Sequence, residues 1–190
     1  LRMRSLPPAV GAPQLHVDFE GGRVRPWTRD DRDALVRHSN SQRVARFLST
    51  RFPHPYGPAD AEAWLAFLAS QPEPEGWAID VDGEAVGGIG LRRGVADFAH
   101  SAELGYWLGE AYWGRGLMTR VVRAVLPAVV ARFGLIRVTA YAACANPASL
   151  RVLEKAGFAR EGLMRARAIR DGEIQDHAVF GRLDDTRVAR

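Results

Sequence analysis

Glu110-Ala111-Tyr112-Trp113-Gly114-Arg115-Gly116-Leu117-Met118-Thr119 is a glycine-punctuated turn between an alternating strand pattern at 99–109 and a long amphipathic helix pattern at 115–133. Two glycines one residue apart let the backbone approach a bulky anion closely. A helix starting there offers unpaired N–H groups and the positive end of its dipole. The turn therefore reads as a phosphate cradle of main-chain N–H groups from about Trp113 to Met118, with Arg115 and Arg120 as nearby positive charge. A plain strand-to-helix turn that needs its glycines for shape is the alternative. The third glycine of a dinucleotide fingerprint is missing, and no lysine followed by Ser or Thr opens the helix, so neither a Rossmann nor a Walker reading holds.

Downstream, Gly134 can end the helix, and residues 136–141 are β-branched and alternating. Within the helix pattern, Pro127 removes a backbone hydrogen bond and clashes with the preceding turn, a cost of about 3 kcal/mol that predicts a kink or break. Strand, helix and strand in this order imply a right-handed crossover between parallel neighbours. The glycine turn then lies at the carboxyl end of the first strand, where open α/β sheets bind ligands. A short helix at 146–156 begins with Asn146 as cap and Pro147 at its first position, and Gly157 closes it. Asn146 and Ser149 either serve that cap alone or face the same cleft as the glycine turn.

Upstream, residues 16–27 read as a bent strand pair around Gly21-Gly22, and Thr28-Arg29-Asp30-Asp31 caps a helix to about His38. A helical piece at 41–48 precedes Phe52-Pro53-His54-Pro55-Tyr56-Gly57-Pro58, a rigid loop. Residues 60–70 form a helix whose buried stripe is expected at Ala63, Trp64, Phe67 and Leu68. Strands at 77–81 and 85–91 flank Asp82-Gly83, and closing strands near 158–169 and 173–181 flank Asp171-Gly172. The fold class is α+β, in α/β/α layers, with a mixed, mainly antiparallel sheet carrying helices on its faces.

The chain, 190 residues with 47% hydrophobic and 25% charged, has the balance of one globular domain spanning 1–190, with loose termini at 1–13 and 184–190. A single cysteine, Cys144, excludes a disulfide framework and reads as a small buried apolar side chain. No His/Cys cluster has metal-ligand spacing. The net charge is +4, and Lys155 is the only lysine; the arginines are scattered without interleaved aromatics, which argues against nucleic acid. Residues 1–12 hold no apolar run for a signal or membrane segment, so a cytoplasmic location is the default expectation.

Taken together, Ala102-Glu103-Leu104-Gly105-Tyr106-Trp107-Leu108, the turn from Tyr112 to Thr119, and Asn146-Pro147-Ala148-Ser149 through Gly157-Phe158 resemble the GNAT superfamily of acetyl-CoA-dependent N-acetyltransferases. Within it the chain is similar to the Rim-type (RimJ/RimL-like) branch that acetylates ribosomal-protein N-termini, over about residues 15–183. The resemblance implies a central parallel strand pair splayed to admit acetyl-CoA. The pantetheine arm would pair with the strand at Tyr106, Trp107 and Leu108. The pyrophosphate would fall on Trp113, Gly114, Arg115, Gly116, Leu117 and Met118, and Asn146 and Ser149 would contact the arm and the thioester sulfur. Where the superfamily often has Gln or Arg, this chain has Ala111, which throws the phosphate charge onto the main chain and nearby arginines.

Acetyl transfer needs a base for the amine, a donor for the oxyanion and an acid for the departing thiolate. Glu103 is the candidate base, or else it pairs with an arginine or faces solvent. Many relatives place a tyrosine acid where this chain has Leu153, so by resemblance the role passes to Ser149. A backbone N–H near Leu108 would polarise the carbonyl. His54 and Tyr56 are candidate acceptor contacts, the plainer reading being a surface histidine and a packed tyrosine. No residue has the setting of a covalent nucleophile, which favours direct attack in a ternary complex. The expected partner is an amine acceptor, a protein N-terminus first and a small molecule second, with no nucleic acid, membrane or metal. Exposed strands in this superfamily often pair, which makes a homodimer an expectation. The alternative function is a non-catalytic acyl-CoA-binding domain on the same scaffold.

Overall fold

A computed structural model of the chain describes residues 14–49 and 52–184. The loose termini expected at 1–13 and 184–190 lie outside the described residues except for Asp184. The elements run β1 (Val17–Phe19), β2 (Gly22–Pro26), α1 (Arg32–Ser39), α2 (Gln42–Ala45), α3 (Pro58–Ser70), β3 (Gly76–Val81), β4 (Glu84–Arg93), β5 (Ser101–Leu108), α4 (Leu117–Phe133), β6 (Arg137–Ala143), α5 (Pro147–Lys155), β7 (Ala159–Arg170) and β8 (Glu173–Leu183). They build one eight-stranded sheet in the order β1-β2-β3-β4-β5-β6-β8-β7. All neighbours are antiparallel except β5 and β6, the parallel pair that the sequence predicts.

Local chemistry sets the hairpins. Asp82 and Gly83 take φ of 53° and 88°, and Asp171 and Gly172 take 52° and 82°, the paired left-handed conformations that a two-residue turn between twisted strands requires. Asp31 accepts from the Thr28 N–H at 2.8 Å and from both ends of the Arg25 guanidinium at 2.8 Å, while Arg25 Nε reaches Asp80 at 2.6 Å. One guanidinium thus ties β2 and β3 to the cap of α1.

The main core lies between the sheet and α4 with α5, and it includes Val121, Val122, Val125, Val129, Val138, Leu153 and Phe180. A smaller cluster of Leu35, Tyr56, Ala61 and Leu65, with Trp27 and Trp107 against it, belongs to α1, α3 and the loop before α3. Two expectations are corrected here. The buried stripe of α3 is Ala61, Leu65 and Leu68, while Trp64 and Phe67 are exposed and stack on each other at 5.6 Å. Both stripes have helical spacing, and only the packing partner chooses between them.

The second concerns Pro127: of the expected kink or break, the break does not occur, and α4 runs unbroken for 17 residues. Pro127 and Arg123, whose carbonyl loses its partner, are both exposed, so the freed acceptor lies on the solvent-facing side of the helix. Four fully buried valines on the opposite face, each contributing about 1.5–3 kcal/mol, outweigh a proline cost of about 3 kcal/mol. Pro127→Ala is predicted to raise unfolding stability by roughly 1–3 kcal/mol. A denaturant midpoint that stays the same or falls would show that the helix has adapted to the proline.

Candidate active site

The parallel ladder between β5 and β6 runs from Ser101↔Arg137 to Leu104↔Ala140 and stops there. Both strands continue, β5 held by β4 as far as Gly87↔Leu108 and β6 held by β8 as far as Ala143↔His177. The sheet is therefore split over residues 105–108 and 141–143, and a cleft of about 990 Å³ follows the split.

Strand alternation assigns the residues of the split to two sides. Ala102, Leu104, Tyr106 and Leu108 of β5, and Val138, Ala140 and Ala142 of β6, pack with α4 and α5. Glu103, Gly105 and Trp107 face the other side, where Trp107 meets the α1–α3 cluster, and Tyr141 shares that side. Residues of both sides line the cleft, so it passes through the sheet.

On the α4–α5 side, Gly114 and Gly116 have φ of 76° and 69°, and Gly116 caps α4. Left-handed φ at both positions is what makes this turn need glycine. Gly114, Gly116, Leu117, Met118 and Thr119 line the cleft. The first intrahelical bond is Arg120 N–H to Gly116 O at 3.2 Å, which leaves the N–H groups of Leu117, Met118 and Thr119 without helical acceptors. The Trp113 indole N–H donates to Leu108 O at 2.7 Å and so pins the turn to the end of β5. Glu110 is held by Ser41 at 2.8 Å and by Arg43. Arg120 donates to the carbonyls of Glu20 and Arg115 at 2.9 and 3.0 Å. Arg115 sits over the Tyr112 ring at 5.7 Å, away from the lining. The cations lining the α5 side of the cleft are instead Arg151 and Lys155.

Asn146 caps α5, its Oδ1 accepting from Ser149 N–H at 3.2 Å. Ser149 Oγ lies 2.9 Å from the Tyr106 hydroxyl, which also donates to Ser149 O at 3.4 Å. Burial pushes the Tyr106 phenol up to about 12 against the opposing effect of the Ser149 bond, so at neutral pH it is a donor. Sequence reasoning enlisted Tyr106 only for its backbone; the phenol partnership joins residues 43 apart in the chain and has no local signature.

On the other side, Glu103 is ion-paired with Arg92, its cross-strand neighbour. His54 is exposed and Tyr56 is buried, stacked on Phe52 at 4.9 Å, and neither lines the cleft. Cys144, expected to be buried, is exposed just past the end of β6. The lining of this side comes largely from segments that carried no motif, namely Phe47 and Leu48 after α2, and Arg167, Arg170 and His177 of the β7–β8 hairpin. Among the described residues no group of His, Cys, Asp and Glu is placed to hold a metal, and no helix is long and apolar enough to cross a membrane.

The family model of the acetyltransferase (GNAT) domain matches residues 23–159. This chain belongs to that GNAT family. It is 35% identical over 103 residues to the Probable N-acetyltransferase YjcK of Bacillus subtilis (strain 168), covering 54% of this chain and 57% of that protein. The Ribosomal-protein-serine acetyltransferase of Escherichia coli (strain K12) is 26% identical over 103 residues, again 54% and 57% of the two chains. The matches thus span a little over half the length of these relatives. Mycobacterium smegmatis RimJ in complex with CoA-disulfide has the same fold, with a TM-score of 0.78 at 20% identity over 93% of this chain and 89% of that one.

As a GNAT domain, the chain has the splayed parallel pair and the glycine turn in the order the resemblance implies. Replacing Tyr106 by Phe is predicted to cost about 0.5–1.5 kcal/mol of stability by removing the bond to Ser149. Denaturant unfolding measures it, and no loss would mean that the two hydroxyls are not bonded in solution.

Proposed function

We propose that this chain is an acetyl-CoA-dependent N-acetyltransferase that acts on a primary amine by direct attack in a ternary complex. The observation that carries the reading is the break in β5–β6 pairing, which opens the sheet from the side of Asn146, Ser149 and the glycine turn to the side of Glu103 and Trp107. Membership of the GNAT family and the N-acetyltransferase relatives support acetyl transfer, and the CoA-disulfide in the RimJ complex supports coenzyme A as the donor's carrier.

Acetyl-CoA, when bound, supplies the thioester. The free backbone edge of residues 105–108 pairs with an amide-bearing arm, as a missing strand would. The N–H groups at Gly116–Thr119 take phosphate at the helix terminus, and Arg151 and Lys155 add charge, which Ala111 cannot. Ser149, fixed by the Asn146 cap and by Tyr106, donates its hydroxyl proton to the departing sulfur; Leu153 has no proton to give. Glu103 receives the amine proton through water from the opposite side, with Arg92 fixing its carboxylate. A backbone N–H near Leu108 polarises the carbonyl. The acceptor is a protein N-terminus, as the ribosomal-protein-serine relative suggests, with a small amine second.

The test is an acceptor screen of peptides and small amines followed by free CoA thiol. Release of CoA with an amine is expected, whereas tight CoA binding without release would favour a non-catalytic acyl-CoA-binding domain. Ser149→Ala is expected to lower kcat by roughly 100-fold or more with CoA affinity little changed. Unchanged turnover would remove Ser149 as the acid. Gly114→Asp, which strains a left-handed position and sets a carboxylate against phosphate, is expected to weaken CoA binding by roughly 10- to 100-fold. Wild-type affinity in that variant would place the pyrophosphate elsewhere.

A further inference from the structure

Three cationic or polar side chains on the acceptor side of the cleft have no part in the steps above. Arg167, Arg170 and His177 all line it, and Ala178 and Phe180 in the main core put His177 on the side away from α4 and α5. Arg167 is aimed there by an irregularity: β7 shifts register against β8 between Met164 and Ala168, with Ala166 at φ 50° and its N–H held by Asp176 Oδ1 at 2.8 Å. A non-glycine residue in the left-handed region costs energy, and bulges of this kind redirect side chains at functional sites.

The Arg167 guanidinium lies 3.6 Å from the centre of the Tyr141 ring, and its Nη1 is 3.2 Å from His177 Nδ1. Arginine only donates, so Nδ1 accepts and the neutral imidazole carries its proton on Nε2. Burial and the Arg167 charge, against a smaller opposing pull from Asp176, keep the imidazole below its ordinary range. Nε2–H is buried without a hydrogen-bond partner. Arg170 is similar: its side chain is 10% exposed, its Nε is buried and unpartnered, and its ion pair with Asp171 at 3.7 Å is longer than a hydrogen bond. Buried donors left without acceptors are rare in folded proteins. Two of them in the lining of one cleft, one of them beside the Arg167 guanidinium, mark a place for an anion. Apart from Asp171, the nearby carboxylates are engaged elsewhere, Glu103 by Arg92, Glu173 by Arg46 at 3.7 Å and Asp176 by the Ala166 N–H.

We propose that Arg167, Arg170 and His177 form a carboxylate subsite, so that the acceptor is an amine whose own molecule carries a carboxylate close to the amino group. A free amino acid and an acidic residue next to a peptide N-terminus present the same chemistry. The proposal rests on the acetyl-transfer reading for its meaning as an acceptor site, but carboxylate binding can be measured separately.

The full chain is assayed for CoA release with two matched pairs: an α-amino acid and its amide, and peptides differing only by Asp or Asn at the second position. The carboxylate member of one pair is expected to have the higher kcat/KM by roughly 10- to 100-fold, and the pair that discriminates identifies the source. Arg167→Gln and Arg170→Gln are each expected to erase that preference while leaving the amide substrates within about threefold of wild type. Equal kcat/KM within both pairs overturns the subsite, as does an equal loss for carboxylate and amide in the variants. In a second arm, the CoA-loaded protein is titrated calorimetrically with the N-acetylated forms of the same four compounds. Tighter binding of a carboxylate form, lost in Arg167→Gln, supports the subsite even if no amine releases CoA, a result that would sink only the transfer reading. Equal binding of all four overturns it. Arg167 is only partly buried, so its variant keeps the test decisive if Arg170→Gln fails to fold.

Discussion

Two neighbouring strands that stop pairing halfway along are the constraint on which the rest of this protein depends. Past Leu104↔Ala140, β5 and β6 have backbone N–H and C=O groups that no strand satisfies, and each such group costs about 1–3 kcal/mol if it is buried dry. The break persists because each strand keeps its outer partner to its end, β4 on one side and β8 on the other. The core under α4 holds both flanks, and Trp113 takes the Leu108 carbonyl at the mouth. What remains is a slot through the sheet with free backbone along its walls, suited to a ligand that brings its own amides.

The slot divides the chemistry between two sides. On one, a helix terminus with left-handed glycines and a capped short helix present backbone N–H and hydroxyl donors to the cleft. On the other, carboxylate, guanidinium and imidazole groups line the gap. The two sets meet only through the gap. Ser149 shows how little freedom is left in the site: its backbone N–H serves the cap and its hydroxyl is bonded to a phenol that burial keeps protonated.

Much of this was legible because it is local. Asp82-Gly83 and Asp171-Gly172 specify their hairpins through φ preferences, Asn146-Pro147 specifies a helix start, and the valine spacing of residues 121–129 specifies one face of α4. Features that depend on a distant partner were not legible. On α3 the expected Leu68 is buried, but Trp64 and Phe67 lost to Ala61 and Leu65 because the neighbouring cluster met the latter two. Pro127 was read as a kink or break because its cost is local while the compensating valine burial is not.

Alone, the sequence determined the elements, their order, the parallel crossover and the glycine turn, since each follows from backbone conformation or side-chain period within a few residues. The tertiary structure decided which face each strand residue takes, and so that Glu103 stands opposite Ser149 and tied to Arg92. It also set Arg167, Arg170 and His177 in the lining of the cleft and left His54 and Tyr56 outside it. The reason is physical: alternation along a strand repeats with a period of two but has no absolute phase until a core is packed against one face. A β7–β8 hairpin laid beside β6 by strand order meets residues that no spacing along the chain relates.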